Sequence, residues 1–532
     1  MALSSFPLLK LPPELRNLIY KHYVTIEGGY VYHFDTGKLC AANDRERPID
    51  LALAYTCTRV ANEMRGLALG ANVITFRTVS SPDLDLRACR FHNIMRSLDA
   101  DAELFLGSHE YSSAHGYWAR EDACIRYDQR VLDEVSRAFP QCQAFAELTR
   151  IVRQGSPPLY NQSYNELEFL MSDSLKGGWC EVPSVKRELF LYAVEAASKL
   201  GCSFHQPLRG GTAHDILELA SMLMPWTIPT VDEVKYAARQ LCLQGTKHDE
   251  TRIGKISPFS AAAAAIRFLN DTPISTRKYI RKIVIHEDRV SVASPECHGK
   301  GLIPFCVENS LLRIERRLDL WRTVLESYSG LDICIDGQVT DPLGGSYGWS
   351  LAVAQWVVEA RDLVRAGMPE KSFSLVIDGG PAPEKASEVF QRMQRDAAWQ
   401  EAFEKACVRN IRPTPSLAQQ RRLDVYVCEN FPNILKSMTN NKSFFIRCNF
   451  DIGASWDIEQ IVHQNQAWSL SDWETNCKLE IEADQGVAPF PPFESWRDFY
   501  IGEYVNPAER WRYADRESSF QLSMTHLTYP EN

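Results

Sequence analysis

The chain lacks the short motifs that identify several large enzyme classes. A Walker loop, a G-x-G-x-x-G run, an H-E-x-x-H pair and an EF-hand loop are all missing from its 532 residues. These motifs bind nucleotides, zinc or calcium through fixed geometries. Their absence removes the enzyme classes that these motifs identify but does not exclude an enzyme, and no cofactor or metal is predicted.

Paired cysteines and long hydrophobic runs are also missing. The fifteen cysteines are scattered with no C-x-x-C pair, which is typical of reduced thiols and not of a small secreted disulfide scaffold. The most apolar segment starts at Trp349, contains Gln355 and Glu359, and falls short of the about 20 apolar residues that span a bilayer. Lys10 and nearby prolines interrupt what would be the apolar core of a signal peptide. We expect a cytoplasmic or nuclear protein with no membrane partner.

Charge of one sign is not concentrated in any long run. The net charge is −10, and a general nucleic-acid binder would usually show a basic face, so no nucleic-acid partner is predicted. A hydrophobic content of 45% and a charged content of 24% are ordinary for a globular protein. The length suggests about two to four domains. We divide the chain into a module at 1–80, a mainly helical region at 81–270, and an α/β region with a C-terminal wrap at 271–532.

The first informative segment, residues 6–24, predicts one short helix. Pro12 and Pro13 suit a first helical turn, and Glu14 follows where the helix dipole favours a carboxylate. A helix this short must pack against another element. Helical spacing predicts that its buried stripe consists of Leu15, Leu18, Ile19 and Tyr23.

A second helix is predicted within residues 51–76 as the packing partner of the first. Residues 25–48 lie between the two helices and include GGYVYHF, whose alternating polarity predicts a strand or hairpin. The apolar residues of the second helix follow steps of four and three along one face, at Leu53, Cys57, Val60, Met64 and Leu67.

Each predicted helix carries a Glu-x-Arg triplet. Residues two apart do not share a helix face, so pairing Glu14 with Arg65, or Arg16 with Glu63, would hold the two helices in register. Two helices with these triplets resemble the F-box-like proteins of filamentous fungi that carry two Glu-x-Arg triplets. Residues 281–325 are more loosely similar to the same family.

The resemblance implies a non-catalytic adaptor that recruits an unknown protein substrate to a Skp1-containing ubiquitin ligase. An ordinary F-box has a short turn where this chain inserts 25–48. Alternatively, the apolar residues of the first helix clamp the module onto the chain's own α/β region, with no ligase involved. The residues that the resemblance places in contact with Skp1 are Leu11, Pro12, Leu15, Leu18 and Ile19.

The middle region carries helix signals throughout. Helices are predicted over 122–139 and 184–200, with a linker at 155–165 between them. Thr212 begins another helix, and Thr230 with Glu233 forms a capping box ahead of a helix that ends at Gly245. The alanine run at 261–265 has strong helix propensity.

The last region alternates short β-rich runs with helical patterns at 311–327, 350–366, 384–406 and 432–438. This alternation predicts an α/β fold in which helices flank a largely parallel sheet. The alternative is a degenerate leucine-rich-repeat-like solenoid, whose repeats of about 20–29 residues would be shorter than these intervals. The β-rich runs are centred on Ile283, Ile333, Leu375, Val425 and Phe445.

Two aspartates are candidates for a metal-dependent enzyme. Asp336 and Asp378 each close a run that ends in Ile-Asp-Gly, and both would lie at the carboxyl ends of strands, where α/β folds place ligands. Asp-Gly is also a common turn sequence. We favour the turn.

One serine matches the pattern of a hydrolase nucleophile. Ser346 lies within G-x-S-x-G, and His463 or His526 could supply the base. Alternatively, the glycine-rich loop precedes a helix that is capped by Ser346 or Ser350. We favour the cap.

Two further groups have weak patterns. Cysteine and histidine residues near 297 lack the two closely spaced pairs of a structural zinc site, so burial is favoured for Cys297, His298, Cys306 and His286. Late tryptophans could form a recognition surface or a core, and these are Trp456, Trp468, Trp473, Trp496 and Trp511.

Overall fold

The computed structural model describes residues 8–106, 129–153, 180–201, 212–241, 258–325, 346–423, 425–439, 445–473 and 476. These residues form a mixed α/β architecture in which helices flank a mostly parallel sheet. The predicted α/β class is therefore confirmed.

Eight strands form the sheet in the described part of the chain. They are β1 (Tyr30–His33), β2 (Lys38–Ala41), β3 (Asp44–Pro48), β4 (Val73–Arg77), β5 (Lys282–Glu287), β6 (Arg313–Asp319), β7 (Phe373–Asp378) and β8 (Ile446–Cys448). Their order across the sheet is β3-β2-β1-β4-β5-β6-β7-β8. Strand β2 pairs with β1 and with β3 in antiparallel fashion. The pairs β1–β4, β4–β5, β5–β6, β6–β7 and β7–β8 are parallel.

The α-helices are α1 (Pro13–Val24), α2 (Thr58–Glu63), α3 (Leu67–Ala71), α4 (Pro82–Leu106), α5 (Gln129–Ala138), α6 (Gln143–Arg153), α7 (Pro183–Lys199), α8 (Ala213–Met222), α9 (Val231–Gln240), α10 (Ala261–Asp271), α11 (Ile274–Arg277), α12 (Ile303–Glu308), α13 (Ser346–Arg365), α14 (Pro383–Val408), α15 (Leu417–Arg422), α16 (Phe431–Thr439) and α17 (Ile458–Gln464). Short 3₁₀ segments occur at Leu8–Lys10, Leu53–Tyr55 and Pro295–Leu302, and a π-helix at Leu320–Leu325.

The helices that contribute to the main core pack on one face of the sheet. Strands β4 to β8 follow one another across the sheet in chain order, and parallel crossovers are nearly always right-handed, so successive connections fall on the same side. The main core agrees with this topology, because it joins α4, α10, α13 and α14 to alternate strand residues such as Ile74, Ile283, Ile314, Phe373 and Ile446. Ile74, Ile283, Ile314 and Phe373 pair with one another in register, and Ile446 pairs with Leu375, two residues from Phe373. All five side chains therefore lie on the same side of the sheet. We call their side the core face and the opposite side the open face.

One charged pair lies inside the core face. Arg316 donates from Nη2 to Glu287 Oε1 at 2.6 Å, and both side chains are buried. Glu287 also accepts the first backbone N–H groups of α10, from Ala261 and Ala262. Glu287 is therefore hydrogen-bonded both to Arg316 and to the start of α10, so the pair joins β5 and β6 to that helix.

Local capping signals in the middle region are confirmed. Thr230 and Glu233 form the predicted capping box, and Thr212 forms a similar one with Asp215. Gly201 follows α7 with a φ of 65°. The predicted hairpin is β1 paired with β2. The linker at 155–165 lies outside the described residues, as do Gly245, residues 122–128 of one predicted helix, and Ile333.

Two predicted elements of the last region are wrong. Residues 311–327 were expected to be helical, but β6 occupies the first part of that span, because its buried residues alternate and Arg316 finds Glu287 in the core. No strand forms around Val425. There Gln400 Oε1 accepts the Val427 backbone N–H at 2.9 Å, which replaces a strand partner.

The sheet extends across the first expected domain boundary. Strands β1 to β4 come from residues 30–77 and pair directly with β5. The division at 80 and 270 stays a prediction. A leucine-rich-repeat-like solenoid would also have its parallel strands in chain order, as β4 to β8 are. However, the segment between β4 and β5 is several times longer than that between β5 and β6, so these strands do not form a regular repeat.

Among the described helices, none is both long and apolar enough to cross a membrane.

Candidate functional site

Helix α1 begins where its prolines predict. Pro13 is its first residue, Glu14 lies in the first turn, and the helix ends at Val24 before Thr25, whose backbone N–H donates to Lys21. Pro has no N–H to satisfy at this position, and a carboxylate there favours the helix dipole. The start and length of the helix are thus set locally by its own residues.

The buried face of α1 is not the predicted one. Leu15, Leu18 and Ile19 are 47%, 63% and 38% exposed, and Tyr23 is exposed as well. Arg16, Tyr20 and Val24, spaced four residues apart, face inward instead. The prediction of an inward Leu15, Leu18, Ile19 and Tyr23 stripe is therefore wrong.

An ion pair explains this inverted burial. Arg16 donates from Nε to Glu63 Oε2 at 2.8 Å and from Nη2 to Glu63 Oε1 at 2.6 Å. Tyr20 Oη donates to the same carboxylate at 3.0 Å, and the Arg16 guanidinium also donates to the Leu11 carbonyl. A guanidinium gripped by both oxygens of a carboxylate is geometrically specific, so this network fixes the rotation of α1 about its axis.

The network shifts the acidity of its members. Hydrogen bonds from Arg16 hold the pKa of Glu63 at about 2, below its usual 4.5. The pKa of Tyr20 is raised by burial and by its hydrogen bond to Glu63. Glu63 is therefore ionised at every physiological pH, and the network stays intact.

Only one of the two expected cross-pairings occurs in the structure. Arg16 pairs with Glu63, whereas Arg65 donates to Asn62 Oδ1 at 2.8 Å. Glu14 is exposed on α1. The triplets are therefore not equivalent, since one residue of each makes the bridge. Sequence reasoning missed Tyr20, although its four-residue spacing from Arg16 and Val24 was a usable signal.

The partner segment of α1 is not a single helix. It consists of the 3₁₀ turn at Leu53–Tyr55, then α2 and α3, with Gly66 between them at a φ of 75°. A Cβ on Gly66 would lie 2.1 Å from Cγ of Tyr279, so this break needs glycine. Cys57, expected on the buried face, is exposed.

Both predicted helices still pack together. Tyr20 and Val24 of α1 form a small cluster with Val60, Met64 and Ala68. Val60 and Met64 are buried as expected, but their contacts on α1 are different from the predicted ones.

The result is an apolar patch on the outside of the molecule. We call it the α1 surface and define it by Leu11, Pro12, Leu15, Leu18 and Ile19. Leu11 is half-buried and the other four are exposed. Single exposed apolar residues are ordinary, but several on one helix face typically mark an interaction site.

Of the two aspartates proposed for a metal site, only Asp378 lies within the described residues, and it makes local hydrogen bonds. Asp378 Oδ1 accepts the Gly380 backbone N–H at 3.0 Å and the Asn449 side chain at 2.7 Å. This is the turn chemistry of an Asp-Gly pair. Asp336 lies outside the described residues, so a shared site stays untested. Asp319, in register with Asp378, has its pKa raised to about 6 by burial, and its Oδ1 accepts backbone N–H groups of the π-helix.

The hydrolase pattern is only partly within the described residues. Ser346 is the first residue of α13, while Gly344, Gly345 and His526 lie outside them. Ser350 is not a cap but a buried helix residue, whose Oγ donates to Asp396 Oδ2 at 2.7 Å. His463 is exposed on α17.

The zinc candidates are structural residues. His298 is buried with Nδ1 2.6 Å from Ser260 Oγ and Nε2 2.8 Å from the Ala293 carbonyl, so both ring nitrogens have protein partners. Burial lowers its pKa to about 3. Cys297 and Cys306 are buried thiols, and His286 is half-buried on the open face. Within the ranges that the structure describes, no group of His, Cys, Asp and Glu residues could hold a metal ion.

The late tryptophans divide between core and surface. Trp473 is buried against Trp399 and Phe403, with Trp468 stacked on Trp399 at 5.9 Å between ring centroids. Trp456 is 47% exposed. Trp496 and Trp511 lie outside the described residues.

Comparisons with known proteins found no match. No protein-family model matches the chain, no curated protein matches it, and no solved structure matches it.

Proposed function

We propose that this chain is a non-catalytic interaction protein whose α1 surface binds an adaptor of the Skp1 type. The observation that carries the proposal is the inverted burial of α1, which turns Arg16 and Tyr20 inward and leaves Leu15, Leu18 and Ile19 outward. The choice of a Skp1-type adaptor rests on the resemblance of the two Glu-x-Arg helices to fungal F-box-like proteins. In that role the chain would recruit an unknown protein to a ubiquitin ligase.

The stability that is lost by leaving these apolar side chains exposed supports the proposal that a partner covers them. Burying a leucine or isoleucine side chain is worth roughly 1.5–3 kcal/mol, so leaving Leu15, Leu18 and Ile19 in water forgoes stability. The Arg16–Glu63 pair holds the helix in this orientation without their burial. A surface that is held rigid before binding loses little entropy when a partner covers it.

The inserted residues do not interfere with this surface. Strands β1 to β3, which replace the short turn of an ordinary F-box, pair into the sheet edge. They leave Leu15, Leu18 and Ile19 exposed. The same exposure argues against the internal clamp, in which these side chains would be buried against the chain's own α/β region.

The test is binding of the full chain to a purified Skp1-type adaptor, measured by co-purification and calorimetry. Leu15→Asp combined with Ile19→Asp is expected to abolish binding, because it places two charges in the apolar patch. Asn17→Asp is the matched control, since Asn17 is exposed on the same helix but is not part of the α1 surface, and it should bind normally.

Circular dichroism and the thermal midpoint should be unchanged in both variants, because none of the three altered residues is buried. Folded protein that never binds the adaptor, or a double variant that binds as well as the parent, would overturn the proposal.

A further inference from the structure

Two cysteine thiols meet in the small core formed by α5, α6 and α7. Cys142 lies in the turn between α5 and α6, and Cys180 lies just before the start of α7. Cys142 is 1% exposed, whereas Cys180 packs against the edge of the same core and is half-exposed. Their side chains are hydrogen-bonded to each other. Two free thiols that are far apart in the sequence are therefore in direct contact.

The backbone around Cys142 is fixed by hydrogen bonds. Its N–H donates to the Phe139 carbonyl at 3.1 Å, and its carbonyl accepts the N–H groups of Phe145 and Ala146, each at 3.1 Å. These bonds close the turn after α5 and begin α6. The Cys142 side chain is therefore held in one place beside Cys180, and it can form a new bond without a rearrangement of its helix.

The segment that carries Cys180 is fixed by the two residues that follow it. Glu181 is buried, and its carboxylate accepts from the Tyr426 hydroxyl and, at 2.6 Å, from the Glu429 backbone N–H. Val182 packs against both the main core and the small core of α5, α6 and α7. A disulfide needs two Cβ atoms about 3.5–4.5 Å apart. Two hydrogen-bonded thiols on fixed segments are close to that arrangement.

The two thiols differ in their access to solvent. An oxidant reaches the half-exposed Cys180 more readily than Cys142, which is enclosed by the core. The hydrogen bond with Cys180 and burial both raise the pKa of Cys142, so Cys142 remains a protonated thiol in the reduced protein. Oxidation of a cysteine follows its exposure and its thiolate character. Cys180 is therefore the thiol that is oxidised first, and Cys142 is the neighbour that resolves it.

We propose that Cys142 and Cys180 form a reversible disulfide when the protein meets a peroxide. The Cys180 sulfur attacks one peroxide oxygen and the O–O bond breaks, which gives a sulfenic acid and one water. The Cys142 sulfur then attacks the Cys180 sulfur, and the S–O bond breaks. The leaving hydroxide takes the proton of the Cys142 thiol and becomes a second water. The two thiols are thus oxidised to a disulfide, and one peroxide is reduced to two waters.

The disulfide would add a covalent link at a junction of the fold. It would join the turn between α5 and α6 to the segment whose Glu181 contacts Tyr426 and Glu429. A disulfide restricts the unfolded chain, so the oxidised protein should resist urea better than the reduced one. A thiol reductant reverses the bond by exchange. This thiol pair is independent of the α1 surface and of adaptor binding.

Peptide mapping of the full chain tests the proposal. The protein is treated with hydrogen peroxide, the remaining thiols are alkylated, and digestion by trypsin without reductant is followed by mass spectrometry. Trypsin places the two cysteines in peptides 138–150 and 177–186, which contain no other cysteine. We expect these peptides to be joined by a bond that dithiothreitol breaks. Alkylation of both thiols after peroxide treatment, a sulfinic acid at Cys180, or linkage only to other cysteines would overturn the proposal.

Serine variants separate the roles of the two thiols. In Cys142→Ser, the sulfenic acid of Cys180 has no resolving thiol and should be trapped by dimedone. Cys57→Ser is the matched control, since Cys57 is exposed and outside the pair, and it should still give the joined peptides. Peroxide should raise the urea midpoint of the parent and of Cys57→Ser, but not that of the folded Cys180→Ser protein. An equal rise in all three would contradict the disulfide, whatever the result of adaptor binding.

Discussion

Two Arg–Glu pairs hold this protein together in different ways. At the rim, Arg16 meets Glu63, and the carboxylate remains partly exposed. In the middle of the core face, Arg316 meets Glu287, and both side chains are almost wholly enclosed. The rim pair decides which face of a surface helix is turned outward, whereas the inner pair joins two strands and a helix start.

The contrast shows what each pair contributes. The rim pair orients α1 so that its apolar side chains remain available to a partner. The inner pair has fixed partners on both sides: two N–H groups of α10 donate to Glu287, and the centre of the Trp356 ring lies 4.9 Å from the Arg316 guanidinium carbon. We expect the first pair to affect binding and the second to affect the stability of the whole fold.

The largest expected effect comes from breaking the inner pair. Arg316→Leu leaves the Glu287 carboxylate buried without its cation, and removing one partner of a buried pair typically costs about 3–5 kcal/mol. Urea denaturation followed by tryptophan fluorescence measures the loss. Arg317→Leu is the control, since Arg317 is on the open face and its pair with Glu315 is half-exposed, so it should cost about 1 kcal/mol or less. Equal losses for the two variants would refute the distinction.

The pH dependence should separate the same two regions. His298 in the core takes up a proton at about pH 3 when folded and near 6.5 when unfolded, because burial and Arg316 disfavour its charged form. Its neutral state therefore stabilises the fold fully above pH 6.5, and that contribution is lost as the pH falls from 6.5 towards 3. The depressed pKa of Glu63 works at lower pH, since its contribution is present above about 4.5 and is lost as the pH falls towards 2.

We therefore expect the His298 contribution to be lost at a higher pH than that of the rim pair, against the opposite contributions of Glu359 and Asp319, whose pKa values burial raises to about 7 and about 6. In His298→Gln, which cannot take up a proton, the decline between pH 6.5 and 4.5 should be smaller than in the parent protein. An unchanged slope in that range would show that His298 does not control it.

The smallest expected effect on overall stability comes from breaking the rim pair. Arg16→Ala should speed hydrogen exchange of the amides in α1 and weaken binding through the α1 surface, while exchange in β5 to β7 stays at the parent rate. Arg59→Ala is the control, because Arg59 also contacts Glu63, at 3.2 Å, but is exposed. It should change neither measurement. Faster exchange throughout the sheet after Arg16→Ala would mean that the rim and core are not separate.

Interactions that depend on neighbouring residues could be predicted from the sequence. The capping boxes at Thr212 and Thr230 satisfy backbone N–H groups three residues away, so their residues suffice to place them. The Arg16–Glu63 pair was among two options because opposite charges on facing helices have few choices. The α/β class followed from the alternation of β-rich and helical segments.

Interactions that depend on distant residues could not be predicted in the same way. The spacing of Leu15, Leu18 and Ile19 correctly predicts a helix. Periodicity does not tell which face is buried, because Arg16 on the opposite face pairs with Glu63, which is 47 residues away in the sequence. Strand β6 was not predicted for the same reason. Arg316 occupies a core position in this strand, and a charged residue is tolerated there only because Glu287 on the neighbouring strand pairs with it.

The two ends of the sheet within the described residues, β3 and β8, have a consequence for behaviour at high concentration. An edge strand offers unpaired backbone groups to other molecules, and proteins commonly counter this with short strands, charges and proline. Strand β8 has only three residues, and β3 has the sequence DRERP. Both margins are thus poor templates for adding a strand from another copy, which should keep this chain from joining end to end into fibres even though its parallel strands are built in simple chain order.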